Sequence, residues 1–320
     1  MEFKMTKKQI IGAGLAGLIA GCHFKNVPIL EAGPRVEQHK ALLRFRDSSV
    51  SELTGIPFKE VTVRKEISYL NQSHAACNIP FANMYSQKVA GVIAGRSIWN
   101  LETAKRYIAP PDFYDRLVDL HGNRISFECP LEDIGGNAHL VQQISTIPLP
   151  AMMSVCGIKH EHKFDFQRAP IRVTRYRLAP NTDVYQTVYF PDPVLRAFRA
   201  SITGDLLIVE SMTSQPREHF AWAYDPAEEI GRVTRAFGLS ISDISFVDTV
   251  EQRYGKIIDI PREQREAILY ELTHKFNVFS VGRFATWRNI LLDDVVKDLR
   301  QIERLMTASS YGRSIVLANR

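Results

Sequence analysis

The segment with the clearest chemical meaning is Gly12-Ala13-Gly14-Leu15-Ala16-Gly17. Three glycines at this spacing suit a strand that turns sharply into a helix. The first permits the turn, the second lets a pyrophosphate approach the backbone, and the third allows helix and strand to pack closely. The helix that starts there offers unpaired backbone N–H groups and the positive end of its dipole to phosphate oxygens. The setting matches: an apolar strand pattern over 8–11 precedes the turn, a helical one over 18–24 follows, and 27–30 reads as a second strand. Glu31 closes that strand, where a carboxylate can accept from both hydroxyls of an adenosine ribose. The unit predicts a dinucleotide ligand.

A second segment lies near the other end, Val281-Gly282-Arg283-Phe284-Ala285-Thr286-Trp287-Arg288-Asn289-Ile290-Leu291-Leu292-Asp293-Asp294. Gly282 permits close backbone approach after a strand, and the planar guanidinium of Arg283 suits a pyrophosphate. A helix starting at Asp293 aims its N–H groups at its neighbour. Beside the N1–C2=O edge of a flavin, that dipole favours the anionic reduced ring. Read alone, the segment is equally a strand, loop and helix with a capping aspartate.

A third group is aromatic and basic: Tyr85, Lys88, Arg96, Trp99, Arg106, Tyr107, Arg175, Tyr185, Tyr189, Arg253 and Tyr254. Such side chains grip diphosphates or stack bases, although most aromatics and arginines simply pack or lie along the surface. Arg175, Tyr185 and Tyr254 are the expected substrate contacts. No triad, P-loop or kinase motif is present, and no acid or base for catalysis stands out. The four cysteines (Cys22, Cys77, Cys129, Cys156) form no CxxC pair and read as reduced, mostly buried thiols. His160 and His162 lack a carboxylate or thiol partner, so no metal is expected.

Together these segments resemble the flavoprotein superfamily of amine oxidases, protoporphyrinogen oxidases and UDP-galactopyranose mutases. The resemblance rests on GAGLAGL with Glu31, on the mid-chain run Ile144-Ser-Thr-Ile-Pro-Leu-Pro150, and on GRFATWRN-ILLDD, in that order. It implies FAD held by residues 12–17, that is Gly12, Ala13, Gly14, Leu15, Ala16 and Gly17, with Glu31, Ala32, Arg35, Gly282, Arg283, Trp287, Leu292 and Asp293. It covers well under half of the chain. One departure stands out. The family continues from its glutamate as EAxxRvGGR, the glycine pair passing near the flavin, whereas this chain reads Glu31-Ala-Gly-Pro-Arg-Val-Glu-Gln-His39. Arg44 and Arg46 are candidate substitutes for the missing phosphate contact.

These residues need a scaffold, and 320 residues suffice for one large or two ordinary domains. The expected fold is α/β (α+β overall): a Rossmann-like FAD-binding domain from discontinuous segments 1–67, 121–150 and 271–320, plus a second domain with an antiparallel sheet from 68–120 and 151–270. Within the second, 68–120 reads as a largely helical insertion, and 171–210 as β-rich. Residues 261–276 and 293–307 read as helices. No run approaches the ~20 apolar residues of a membrane span, and cytoplasm (of a host, if the gene is viral) is the default address. The net charge of +5 suits an anionic ligand.

The leading expectation is an FAD-dependent oxidoreductase, amine-oxidase-like, oxidising a C–N bond of an anionic substrate. Length and charge are also similar to flavin enzymes of bacteriophage DNA-hypermodification pathways, which implies an amino-acid-modified thymine in DNA as a narrower substrate. Two alternatives stay open: a mutase-like flavin-dependent isomerase acting on a nucleotide-sugar, and a non-catalytic dinucleotide-binding protein.

Overall fold

The computed structural model describes residues 7–93, 97–130, 141–158, 166, 168–179, 182–213 and 225–307. Two sheets organise them. The first is parallel, five-stranded and ordered β14-β8-β1-β2-β7, from β1 (Lys7–Ile11), β2 (Ile29–Leu30), β7 (Ile125–Ser126), β8 (Val141–Ser145) and β14 (Val278–Ser280). Its central strands bury side chains on both sides because helices cover both faces. Ile10, Ile144 and Phe279 point to the face that carries α1 (Leu15–His23), α4 (Phe113–His121) and α9 (Leu292–Thr307). Ile11 and Val278 point the opposite way, toward α5 (Leu149–Val155) and α7 (Arg262–Phe276). The last helix is amphipathic, burying Val295, Val296, Leu299, Ile302 and Met306 at helical spacing.

The second sheet has nine strands. Its path runs β13 (Ile244–Ile257), β9 (Arg168–Leu178), β12 (Leu206–Met212), β11 (Ala197–Thr203), β10 (Tyr185–Tyr189), β4 (Lys59–Tyr69), β6 (Ala104–Ile108) and β3 (Arg44–Phe45), with β5 (Gln72–His74) hairpinned onto β4. Period-2 alternation sorts its side chains. Ile208 and Val173 meet α3 (Ile79–Ala90) through Phe81, Tyr85 and Val89. Leu207, Val209 and Val188 meet α6 (Pro226–Arg235) through Val233. The Lys88 ammonium pins α3 to the sheet by donating to the carbonyls of Phe190, Asp192 and Ala197 at 2.6–2.8 Å.

Several expectations need correction. The sheet is antiparallel except where β10 joins β4 in parallel. The stretch 68–120 is not a largely helical insertion: β5 and β6 lie within it as strands paired to β4. Basic side chains on β6 hide its pattern, because the strand is only half-buried. The boundaries expected at 67 and 120 do not follow the sheets. β4 leaves the first segment to join the second sheet, and α4 packs on α1 because Phe113, Tyr114 and Leu117 form one apolar face. β11 and the full length of β13 also escaped the pattern. A register shift between Ala197 and Arg199 breaks the alternation of one, and two shifts break that of the other. The four thiols are free and half-buried, rather than mostly buried.

Candidate functional site

The sequence neighbours of β1 explain where a ligand would go. β2, next in the chain, lies on one side of β1, and β8 lies on the other. That is a topological switch point, and open α/β sheets bind ligands in the crevice beyond the carboxyl ends of such strands. The glycine turn sits there. A Cβ on Gly17 would collide with the Gly12 carbonyl oxygen, so only glycine lets α1 start this close to the turn. Thr146, just past β8, locks the turn by donating to the carbonyls of Ile11 (2.8 Å) and Gly12 (3.1 Å). Ala13, Leu15 and Gly17 are buried, whereas Gly14 is exposed and has nothing within 4 Å of where a Cβ would stand. The turn therefore presents backbone, not side chain, to the crevice.

Glu31 follows β2 and turns its carboxylate onto this backbone. Its Oε2 accepts from the Ala13 N–H at 2.7 Å and its Oε1 from the Gly33 N–H at 2.9 Å. Each oxygen keeps a lone pair for a ribose hydroxyl. Ala32 and Arg35 are exposed nearby, and the Arg35 guanidinium has no ion-pair partner among the described residues.

The far segment arrives at the same place. Gly282 has φ of +92°, and a Cβ on it would stand 2.8 Å from the Ala16 side chain. Two motifs 265 residues apart in sequence thus touch at the start of α1. Arg283 is half-buried and donates through Nε to the Ile290 carbonyl at 3.1 Å. Three expected ligand contacts also make contacts within the protein, with Trp287 and Asp293 fully buried and Leu292 half-buried. Trp287 is fully buried, with Nε1 donating to the Ile258 carbonyl and its ring edge-on to Phe166 at 4.9 Å. Leu292 packs against the core around α1. Asp293 is also fully buried, its Oδ2 accepting from Arg46 N (3.1 Å) and Nε (3.2 Å), while its Oδ1 has no partner. Arg46 reaches Asp294 as well, at 2.6 Å. Carboxylates in the first helical turn suit the dipole, and here they fasten the loop before α2 (Ser49–Thr54) to α9.

Arg44 spends its two terminal nitrogens on protein acceptors, while its Nε is buried without a partner. From β3 it reaches over the second sheet to β10 and β11, donating to Thr187 Oγ1 (2.7 Å) and to the Ile202 carbonyl (2.5 Å). Burial and then the charge of Arg199 push its pKa down to about 10. It lies over a polar floor that sequence reading missed. Thr187 faces Ser201 across the β10–β11 pairing, and Tyr189, Arg199 and Glu210 line up across β10, β11 and β12. Arg199 holds Glu210 in a two-point ion pair, one arm at 2.7 Å. Burial drives the Glu210 carboxyl upward, but Arg199, with Lys256 and His39, more than offsets this and holds it below the usual range. The signal was present in DLLIVES. A carboxylate two residues from Ile208 must share its inward face, and a buried charge needs a partner.

The expected substrate contacts are not gathered together. Arg175 is tied to Asp248 on β13 at 2.7 and 2.5 Å. Tyr185 is on β10, three strands away, roughly 14 Å at ~4.8 Å per strand, and donates to Asp183 at 2.7 Å. Tyr254 packs instead on Phe284 and Trp287, with the Arg168 guanidinium 4.3 Å above its ring. Arg96, His160 and His162 lie outside the described residues. Among the described residues, no three His, Cys, Asp or Glu side chains are placed to hold a metal, and no helix is long and apolar enough to cross a membrane. A cavity of about 420 Å³ opens on the other face of the second sheet, between α6 and β9, and includes none of these residues.

A parallel sheet with a glycine-turn crevice, set against a large second sheet, is a fold that has counterparts among solved structures. Solved structures share it over nearly the whole chain. The structure of reduced UDP-galactopyranose mutase matches with TM-score 0.63 at 14% identity, covering 98% of each chain. An oxidoreductase from Methanosarcina mazei matches with TM-score 0.57 at 9% identity, over 93% of this chain and 99% of that one. Aklavinone-11 hydroxylase, in a ternary complex with FAD and aklavinone, matches with TM-score 0.53 at 10% identity, over 96% of this chain and 63% of that one. No protein-family model matches the sequence, and no curated protein does.

Proposed function

We propose that this chain binds FAD across the crevice and is an FAD-dependent oxidoreductase acting on an anionic substrate. The observation that carries the reading is the meeting of Gly282 with Ala16 beside the open backbone of Gly14. One dinucleotide can then touch both motifs. The residues fit it. The α1 N-terminus and Arg35 meet the diphosphate, Glu31 the ribose, and the segment from Gly282 to Arg283 the flavin end. We take the first sheet with its helices as the cofactor half and the second sheet as the substrate half. FAD supplies the hydride-accepting ring, which no side chain can replace. The chain's own part is to orient and to hold charge. Arg44 and Arg199 on the floor, with Glu210 as the one buried carboxylate among them, favour an anion over a cation. A C–N bond of such an anion, including an amino-acid-modified base in DNA, is the finer substrate reading.

A mutase-like isomerisation of a nucleotide-sugar is the second reading, supported by the 98% mutual coverage with the mutase structure. The test starts from the absorption spectrum of purified protein with added FAD. Anaerobic mixing with amines, modified DNA and nucleotide-sugars follows. Bleaching by an amine, then peroxide release in air, is the expected result. Ring contraction of UDP-galactose under dithionite selects the mutase instead. Protein that stays colourless and thermally unshifted in excess FAD ends both.

A further inference from the structure

The loop after Glu31 carries Glu37, Gln38 and His39 where the pattern it resembles has a glycine pair and an arginine, and the structure gives the last two a place. Gln38 donates to Asp115 on α4 at 2.8 Å, and the His39 N–H donates to the Tyr114 hydroxyl at 3.3 Å. Two consecutive residues are therefore pinned to α4, and the His39 ring stands edge-on to Tyr114 at 5.5 Å. The charges that act on the imidazole come from three elements: Glu210 on the floor, Arg283 after β14, and Lys40 in its own loop. His39 thus lies within electrostatic range of the closing motif and of the second sheet. Its Nδ1 is buried and has no hydrogen-bond partner. A buried polar nitrogen left unpaired is costly, and a ligand atom at this junction would remove that cost.

We propose that His39 is a positioning residue for the flavin end of the bound dinucleotide, with Nδ1 as the atom that meets it. This rests on the FAD reading above. Burial pushes the imidazole pKa down to about 4, with Arg283 and Lys40 opposing protonation and Glu210 favouring it. At neutral pH the ring is uncharged, with one donor and one acceptor nitrogen. It can therefore pair with a ring-edge N–H or carbonyl without adding charge beside Arg283.

The experiment is a long-range ¹H–¹⁵N correlation of the histidine-labelled protein before and after saturation with FAD, assigned with His39→Asn. The His39 Nδ1 resonance is expected to move on FAD addition. His39→Leu is expected to raise the FAD dissociation constant about tenfold, the weight of one hydrogen bond, and to shift the flavin absorption band. In His39→Asn, the amide can occupy the place of Nδ1 and should restore both. An Nδ1 signal that ignores saturating FAD overturns the assignment and leaves the FAD reading intact. So does a leucine variant with wild-type affinity and spectrum. If the leucine variant does not fold, the wild-type resonance decides alone. A wild-type protein that binds no FAD overturns both.

Discussion

The two ends of the crevice are built from different materials. At the glycine turn, the groups we assign to the ligand are backbone N–H groups arranged by three glycines and steadied by Glu31 and Thr146. At the other end, the work falls to side chains: His39, Arg44, Arg46, Arg199, Glu210 and Asp293, contributed by segments scattered along the chain. A backbone site needs little charge and tolerates change around it. A side-chain site buries charges that are stable only as a set, because each ion removed from water relies on its partner. The first end can grip a cofactor common to many enzymes, while the second can be specific to this one.

The largest expected effect falls at the side-chain end. Glu210→Ala leaves the Arg199 guanidinium on the floor without its carboxylate, and should destabilise the fold by about 3 kcal/mol or more. Urea unfolding followed by fluorescence reads this directly. A loss under ~1 kcal/mol, typical of an exposed pair, would mean the floor is wetter than the structure shows.

The next is a pH effect at the same end. His39 titrates near 4 when folded, against an ordinary value of 6.5. Between those values the unfolded chain binds more protons than the folded one, so stability rises with pH across the window and is lost as pH falls. The full shift corresponds to roughly 3 kcal/mol at ~1.4 kcal/mol per unit. Glu210, held low by Arg199, adds a loss at the acid end of the range. The informative comparison is therefore wild type against His39→Asn, in thermal melts from pH 4 to pH 7. Parallel curves would show that the imidazole is solvated in the folded protein.

The smallest effect belongs to the backbone end. Glu31→Gln removes the negative charge and one of the two acceptors that hold Ala13 and Gly33, and FAD affinity should fall about tenfold with little change in melting temperature. An unchanged dissociation constant by fluorescence titration would detach Glu31 from the ligand.

Legibility followed the same division. The glycine spacing, the strand before it and Glu31 after it are local features, and the structure forms the turn, the helix and the crevice where the pattern places them. GRFATWRN was legible as a strand-to-helix passage, but not as to which residues face the crevice. Trp287 turns inward to Ile258 and Phe166, and nothing in its neighbours along the chain says so. The partners of Arg44, Thr187 and Ile202, were not legible because they lie more than 140 residues downstream.

The residues alone determined that a helix begins on a glycine turn after a buried strand, since backbone sterics within a few residues allow little else. They also determined the alternation that makes the second half β-rich. Only the tertiary structure decided that β10 lies parallel to β4, that Gly282 rests on Ala16, and that the charges of both Glu210 and Arg283 act on His39. Those outcomes depend on which distant surfaces bury each other and on which charges can be left without water. They are sums over the whole chain rather than properties of any window within it.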